Sequence, residues 1–121
     1  MTLQECYAAM GGDYEDVAKR LPSEKLIQKF VLKFLDDKSY KLFCDSMAEK
    51  NYEEAFRAAH TIKGVCQNLS FTVLLDSSSR MADALRHGWT PEADELTGQL
   101  EKDYKVTIAA IEEFRNECGG N

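Results

Sequence analysis

Start and stop signals for helices recur along the whole chain, whereas the signals that bound strands do not. Gly11-Gly12 is typical of a helix end, and Asp13 can cap a short second helix that Pro22 terminates. Ser23 then precedes an amphipathic segment. Its apolar residues recur at helical spacing and are Leu26, Ile27, Phe30, Val31, Phe34 and Leu35. This pattern predicts an all-α fold.

The later helices are bounded as clearly as the first ones. Ser39 can serve as an N-cap for a helix over 39–50, and Asn51 with Glu54 resembles a capping box for the helix that follows. Thr90, with Pro91 directly behind it, is a well-formed start for the last helix. We predict four main helices, over 23–37, 51–69, 72–87 and 91–117.

Short loops between long helices favour antiparallel neighbours, so we expect an antiparallel up-down four-helix bundle with additional short N-terminal helices. The pieces at 3–20 and 39–50 would cap or extend one end, and the last helix would fray at Gly119-Gly120. A length of 121 residues suits a single helical-bundle domain over 1–121. Stacked helical repeats are the structural alternative, which the lack of a recurring period disfavours.

Charge and hydropathy exclude several classes of protein. The formal net charge of −6 argues against a partner with a phosphate backbone, because such partners require a basic patch. No apolar run approaches the roughly 18 residues needed to span a bilayer, and the N-terminus lacks the features of a secretory signal. Four widely spaced cysteines without a CxxC pair predict small buried side chains in a reducing compartment: Cys6, Cys44, Cys66 and Cys118. We therefore expect a cytoplasmic protein.

One predicted helix carries a histidine on the side opposite its apolar face. At about 100° per residue, the residues that gather on the apolar face are Ala55, Ala59, Ile62, Cys66 and Leu69. His60 points roughly 150° away from the centre of that face, and Lys63, Gly64 and Gln67 share its stripe. A glycine inside a helix costs roughly 1 kcal/mol relative to alanine. Its place here suggests clearance for something that docks on the imidazole.

The segment His60-Thr61-Ile62-Lys63-Gly64, followed by Leu69-Ser70, resembles the signature of histidine-containing phosphotransfer (HPt) domains of two-component phosphorelays. The resemblance extends over the helical layout of nearly the whole chain. Three positions depart from the family pattern. Val65-Cys66 replaces the common pair of small residues, Ser70 stands where glycine is usual, and Ala82 stands where many members have Glu or Gln.

The resemblance implies a phosphoryl group on His60, exchanged with aspartates of response-regulator receiver domains, including those of hybrid sensor kinases. A neutral imidazole is a competent nucleophile near pH 7. Lys63 can offer an ammonium group to the phosphoryl oxygens, Gln67 a neutral donor, and Gly64 the space. The residues expected on the partner-binding surface are Phe56, Arg57, Thr61 and Asn68, and a place at the periphery of the core is the alternative for Phe56.

The resemblance also implies that the chain needs no cofactor of its own, because the magnesium ion and the aspartate belong to the receiver. The chain has no glycine-rich nucleotide motif, so we expect a phosphotransfer intermediate without autonomous kinase activity. We expect a monomer that binds no metal, and His87, at a helix end, is predicted to be structural. Two alternatives stay open: a phosphorylation-independent helical adaptor, and a hydrolase with His60 as general base, which lacks a paired nucleophile or carboxylate.

Overall fold

The computed structural model describes residues 1–118, and no strand occurs in that part of the chain. Within it lie seven α-helices and one 3-10 turn: α1 (Leu3–Met10), α2 (Tyr14–Arg20), α3 (Glu24–Lys33), the 3-10 turn Phe34–Asp36, α4 (Ser39–Ala48), α5 (Tyr52–Leu69), α6 (Thr72–Leu85) and α7 (Pro91–Cys118). The predicted all-α fold is confirmed. None of the helices among residues 1–118 is both long enough and apolar enough to cross a bilayer. The predicted fraying at Gly119-Gly120 lies outside the described residues.

Local capping explains where most of the helices begin. The side-chain oxygens of Asp13, Ser23, Asn51 and Thr90 each accept a hydrogen bond from a backbone N–H in the first turn of the next helix. Gly11 ends α1 in the left-handed conformation, with φ of 73°. These five boundary signals are confirmed.

One predicted start signal is wrong, and one predicted capping box forms only in part. Ser39 is the first residue of α4 rather than its N-cap, and the carboxylate of Asp37 accepts a hydrogen bond from the Ser39 N–H at 2.8 Å. An aspartate two residues upstream is well placed for such a turn. The capping box of Asn51 and Glu54 is only half formed, because the N–H of Asn51 already bonds the Ser46 carbonyl at 2.8 Å.

The bundle consists of α4, α5, α6 and α7, each of which packs against the next one in the chain. Short connections join them, so neighbouring helices run antiparallel, as predicted. The ring of Tyr40 on α4 stacks on Tyr104 of α7, with 4.0 Å between centroids, and this contact closes the bundle. Helix α1 packs against α7.

One of the four bundle helices differs from the sequence prediction. We predicted a bundle helix over 23–37, but α3 ends at Lys33 and makes few contacts with α5 and α7. The 3-10 turn Phe34–Asp36 follows α3 directly, and its Phe34 ring lies in the core, 5.4 Å from Phe71 and 6.2 Å from Tyr104. Helix α4 therefore takes the bundle position beside α5.

The N-terminal helices hold the end of α5 and the turn that follows it. The Tyr7 hydroxyl donates a hydrogen bond to the Leu69 carbonyl at 2.7 Å, and the Asp13 N–H donates to the Ser70 carbonyl at 2.8 Å. The guanidinium of Arg20 donates to the carbonyls of Gln67 (3.0 Å) and Asn68 (3.1 Å). Carbonyls at the end of an α-helix have no partner within that helix. Side chains from α1 and α2 supply those partners here.

Ser70 ends α5 in the left-handed conformation, with φ of 59°. A residue with a Cβ adopts it at a cost of roughly 1–2 kcal/mol, whereas glycine adopts it without that cost. The Ser70 hydroxyl donates to the Asp16 carboxylate at 2.6 Å and accepts a hydrogen bond from Arg20. The Ser70 hydroxyl, with the Arg20 guanidinium beside it, lowers the pKa of Asp16 below its ordinary value.

The cysteines follow the prediction in part. Cys6 and Cys66 are buried, and burial raises the pKa of the Cys66 thiol above its ordinary value. Cys44 is exposed, contrary to expectation, because the buried face of α4 is formed by Phe43 and Ser46. The side chain of Cys118 lies outside the described part of the structure.

Substitutions at Ser70 can separate two contributions to the free energy of unfolding: the cost of the left-handed backbone conformation and the gain from the hydrogen bonds of the hydroxyl. Ser70→Ala loses the hydroxyl and keeps the left-handed Cβ, whereas Ser70→Gly loses both. We expect Ser70→Gly to be about 1 kcal/mol more stable than Ser70→Ala in urea unfolding. Lys50 is exposed and also has a left-handed backbone, with φ of 58°, so it serves as a control site. The difference in unfolding free energy between Lys50→Gly and Lys50→Ala should be similar to that at Ser70. Equal stabilities of the two Ser70 variants would contradict the assigned strain.

Candidate functional site

Helix α5 separates a buried face from an exposed one, as its sequence predicts. All five predicted core residues are buried: Ala55, Ala59, Ile62, Cys66 and Leu69. His60 is exposed on the opposite side. Five predicted site residues are exposed with it: Arg57, Thr61, Gly64, Gln67 and Asn68. Phe56 and Lys63 are half-buried at the edge of this surface, which we call the His60 face and define by these eight residues.

The imidazole of His60 has one aromatic neighbour, Phe56, one turn earlier on the same helix. The two ring centroids lie 5.9 Å apart and the ring planes differ by 25°, so the rings are stacked with an offset. Neither ring nitrogen of His60 forms a hydrogen bond or an ion pair with residues 1–118. Both nitrogens are therefore available to a reaction partner.

Lys63 and Gly64 provide a charge and a space beside the imidazole. The Lys63 ammonium forms no ion pair within the described residues, whereas Arg57 on the same helix is paired with Glu53 (3.0 Å) and Glu54 (2.9 Å). A Cβ added at Gly64 would meet no atom within 4 Å, so the surface next to His60 is open. The arrangement suits an anionic group of some size on the imidazole.

The backbone under the exposed residues is fixed. The Thr61 hydroxyl donates to the Arg57 carbonyl at 2.9 Å, and the carbonyls of Gln67 and Asn68 are held by Arg20 from α2. The side-chain amides of Gln67 and Asn68 form no hydrogen bond within residues 1–118 and point to solvent. These donors are therefore free for a partner.

Arg86, the C-cap residue directly after α6, also lies at the site, although the sequence did not single it out. Its guanidinium carbon lies 5.7 Å from the centroid of the Phe56 ring, and Nη2 donates to the Asp83 carboxylate at 2.9 Å. Ala82, where many HPt domains have Glu or Gln, is fully buried and offers no polar atom. The nearest polar group on this side is therefore the guanidinium of Arg86, one helical turn after Ala82. The one sequence feature that could have indicated Arg86 is a cation near a helix end.

An apolar groove lies beside the His60 face, between α3 and the last two turns of α5. Its volume is about 450 Å³. It is lined by Arg20, Leu21, Phe30, Lys33, Phe34, Asp36, Asp37, Val65, Asn68 and Leu69. Asn68 belongs both to the groove and to the His60 face, so one partner can cover both. No sequence pattern predicted the groove, because its walls come from three separate segments of the chain, within residues 20–21, 30–37 and 65–69.

The chemistry available at this surface is that of a nucleophile with a cation beside it. No carboxylate, serine or cysteine side chain is bonded to His60 among residues 1–118. No cluster of three or more His, Cys, Asp or Glu side chains suited to a metal occurs in the same residues.

Comparison with known proteins finds one family model, and its match includes the His60 face. The family model described as Hpt domain matches residues 23–117, which include α3 to α6 and nearly all of α7. Helices α1 and α2 precede the matched segment. No curated protein and no solved structure matches the chain significantly.

Proposed function

The chain belongs to the Hpt domain family, whose members carry out histidine phosphotransfer in phosphorelays, and we propose that His60 is its phosphoacceptor, exchanging a phosphoryl group with aspartates of receiver domains. The observation that carries this proposal is the surface of α5, where an exposed imidazole lies on one stripe with an unpaired ammonium and an open glycine. The residues proposed to bind the receiver lie on the same surface of α5.

The proposed step is a displacement at phosphorus. The lone pair of an unprotonated ring nitrogen of His60 forms the N–P bond as the P–O bond to the receiver aspartate breaks, and that electron pair leaves with the aspartate carboxylate. The proton on the other ring nitrogen balances the charge and can be released to water. The reverse step passes the group to another receiver. The magnesium ion and the aspartate are supplied by the receiver.

The protein's part in such a transfer is positioning and charge stabilisation. Lys63 would donate its ammonium to the phosphoryl oxygens, and Gln67 would add a neutral hydrogen bond. Gly64 would leave room for the phosphoryl group and for the surface of the receiver. Arg86 is a second cation near the site, although Asp83 compensates part of its charge.

We place the receiver on the exposed residues of the His60 face, which exclude half-buried Phe56, and on the adjoining groove. Arg57, Thr61 and Asn68 would contact it beside the histidine, and the apolar lining of the groove would give it area to bury. We further propose that the protein works as a cytoplasmic monomer, with no cofactor of its own and without autonomous kinase activity.

Substitution of the histidine tests the acceptor assignment. His60→Gln should take no phosphoryl group from a phosphorylated receiver, while its helical circular dichroism stays that of the wild type, because His60 is exposed. The wild type should acquire phosphate that is labile in acid and stable in base. His87→Gln is the matched control and should be labelled like the wild type. Stoichiometric labelling of His60→Gln would overturn the assignment, and an unlabelled wild type that still binds receivers would indicate an adaptor.

Adding a side chain at Gly64 tests the clearance. Gly64→Val should slow transfer and leave the melting temperature nearly unchanged, because its Cβ meets no atom of the protein. Gly64→Ala should slow transfer less and raise stability by up to about 1 kcal/mol. Gly98→Ala on α7, where a Cβ also meets nothing, should match that gain and leave transfer unchanged. A wild-type transfer rate in Gly64→Val would contradict the clearance argument.

Removing the charge of Lys63 tests its role in stabilising the transferring group. Charge-assisted hydrogen bonds contribute about 1.5–3 kcal/mol, and about 1.4 kcal/mol corresponds to a tenfold change in rate. Lys63→Ala should therefore slow transfer about ten- to a hundredfold in rapid-quench assays, with a smaller change in binding of the unphosphorylated receiver. Lys29→Ala on α3 removes an equal charge elsewhere and serves as control. Weaker binding with an unaltered rate in the bound state would make Lys63 a docking residue.

A further inference from the structure

The ring of Phe56 is the one aromatic ring that stacks on the imidazole of His60 within residues 1–118. The two residues are four positions apart on α5, which places them one above the other on the helix surface. Phe56 is in turn approached from the end of a second helix, because the guanidinium of Arg86, the C-cap residue of α6, lies 5.7 Å from its ring centroid. Asp83 holds Arg86 through a hydrogen bond of 2.9 Å. The imidazole is thus linked to α6 through a ring and a cation.

A reactive histidine needs its orientation fixed. Commonly, one ring nitrogen donates to a carbonyl or a carboxylate, and this bond sets both the orientation and the tautomer. No such bond to His60 exists within residues 1–118. An exposed imidazole without one would sample several χ1 wells and a broad χ2. In-line attack on phosphorus requires the lone pair to be aligned with the breaking bond, so this freedom would reduce the reactive fraction.

We propose that Phe56 is a positioning residue for phosphoryl transfer: its ring restricts the rotamers of the His60 imidazole, and Arg86 keeps the Phe56 ring in place. This inference rests on the proposed function of His60. It differs from the docking role that the sequence suggested for Phe56. Phe56 is half-buried and its ring faces the imidazole and the guanidinium, so these contacts use aromatic surface that a docking residue would offer to the partner.

The rotamer effect is measured first on the unphosphorylated protein. In the wild type, NMR couplings should report one dominant χ1 rotamer for His60, with Overhauser contacts between its ring and that of Phe56. Phe56→Leu should show averaged couplings, whereas Phe56→Tyr should keep the wild-type pattern because it keeps the ring. Phe56→Met is a second variant without a ring, in case the leucine variant folds poorly. His87 serves as an internal reference, since its couplings should not change.

Single-turnover transfer from a phosphorylated receiver then measures the consequence. Aromatic pairs contribute enough to change a rate about two- to tenfold, so Phe56→Leu should be slower by that factor at saturating receiver. Its dissociation constant for the unphosphorylated receiver should stay within about twofold of the wild type. Phe56→Tyr should restore the rate. A matching loss in affinity with an unchanged saturating rate would make Phe56 a docking residue and overturn the proposal.

The two measurements also separate this inference from the proposed function. If the wild type accepted no phosphoryl group, the function of His60 would be refuted, and the NMR comparison would still decide whether Phe56 orders the imidazole. A single dominant His60 rotamer in Phe56→Leu would overturn the positioning role whatever the kinetics. Arg86→Gln should give partly averaged His60 couplings, and unchanged couplings would remove Arg86 from the proposal.

Discussion

The burial of one face of α5 between its neighbours is the constraint on which the rest of the structure depends. The small side chains of Ala55 and Ala59 let the neighbouring helices approach α5 closely. In the C-terminal half of α5, the larger side chains of Ile62, Cys66 and Leu69 fill the core. Because 18 residues of one rigid helix carry both the core and the candidate site, the geometry of the site follows from core packing. The position of His60 opposite that face is thus set by helical geometry.

Aromatic side chains connect the bundle to the segments around it. Seven rings form a continuous series of contacts from α2 to α4, in the order Tyr14, Tyr7, Phe71, Phe34, Tyr104, Tyr40 and Phe43. Aromatic pairs contribute about 0.5–1.5 kcal/mol each beyond their buried area. The series passes through the turn after α5 at Phe71, and so connects the end of the histidine helix with α1 and α7.

What could be predicted from the sequence was local. Caps such as Asp13 and Asn51, and the spacing of apolar residues on α5, act within a few residues, so the helices and the exposure of His60 followed from them. The place of α4 in the bundle, the contact of Arg86 with Phe56 and the groove beside Asn68 depend on segments that are distant in sequence. Capping signals and helical periodicity carry no information on such contacts. Ser39 failed for a local reason, because α4 begins at Ser39 itself, with Lys38 at the N-cap position and the Ser39 N–H bonded to Asp37.

The support that α1 and α2 give to α5 comes from outside the segment carrying the family pattern. The matched residues begin at 23, yet the carbonyls that close α5 find partners in Tyr7 and Arg20. The core also includes side chains from before that boundary: Leu3, Cys6, Tyr7, Met10 and Val17. A domain boundary drawn where the family similarity starts would therefore cut through the hydrophobic core, and would separate the histidine helix from the residues that terminate it.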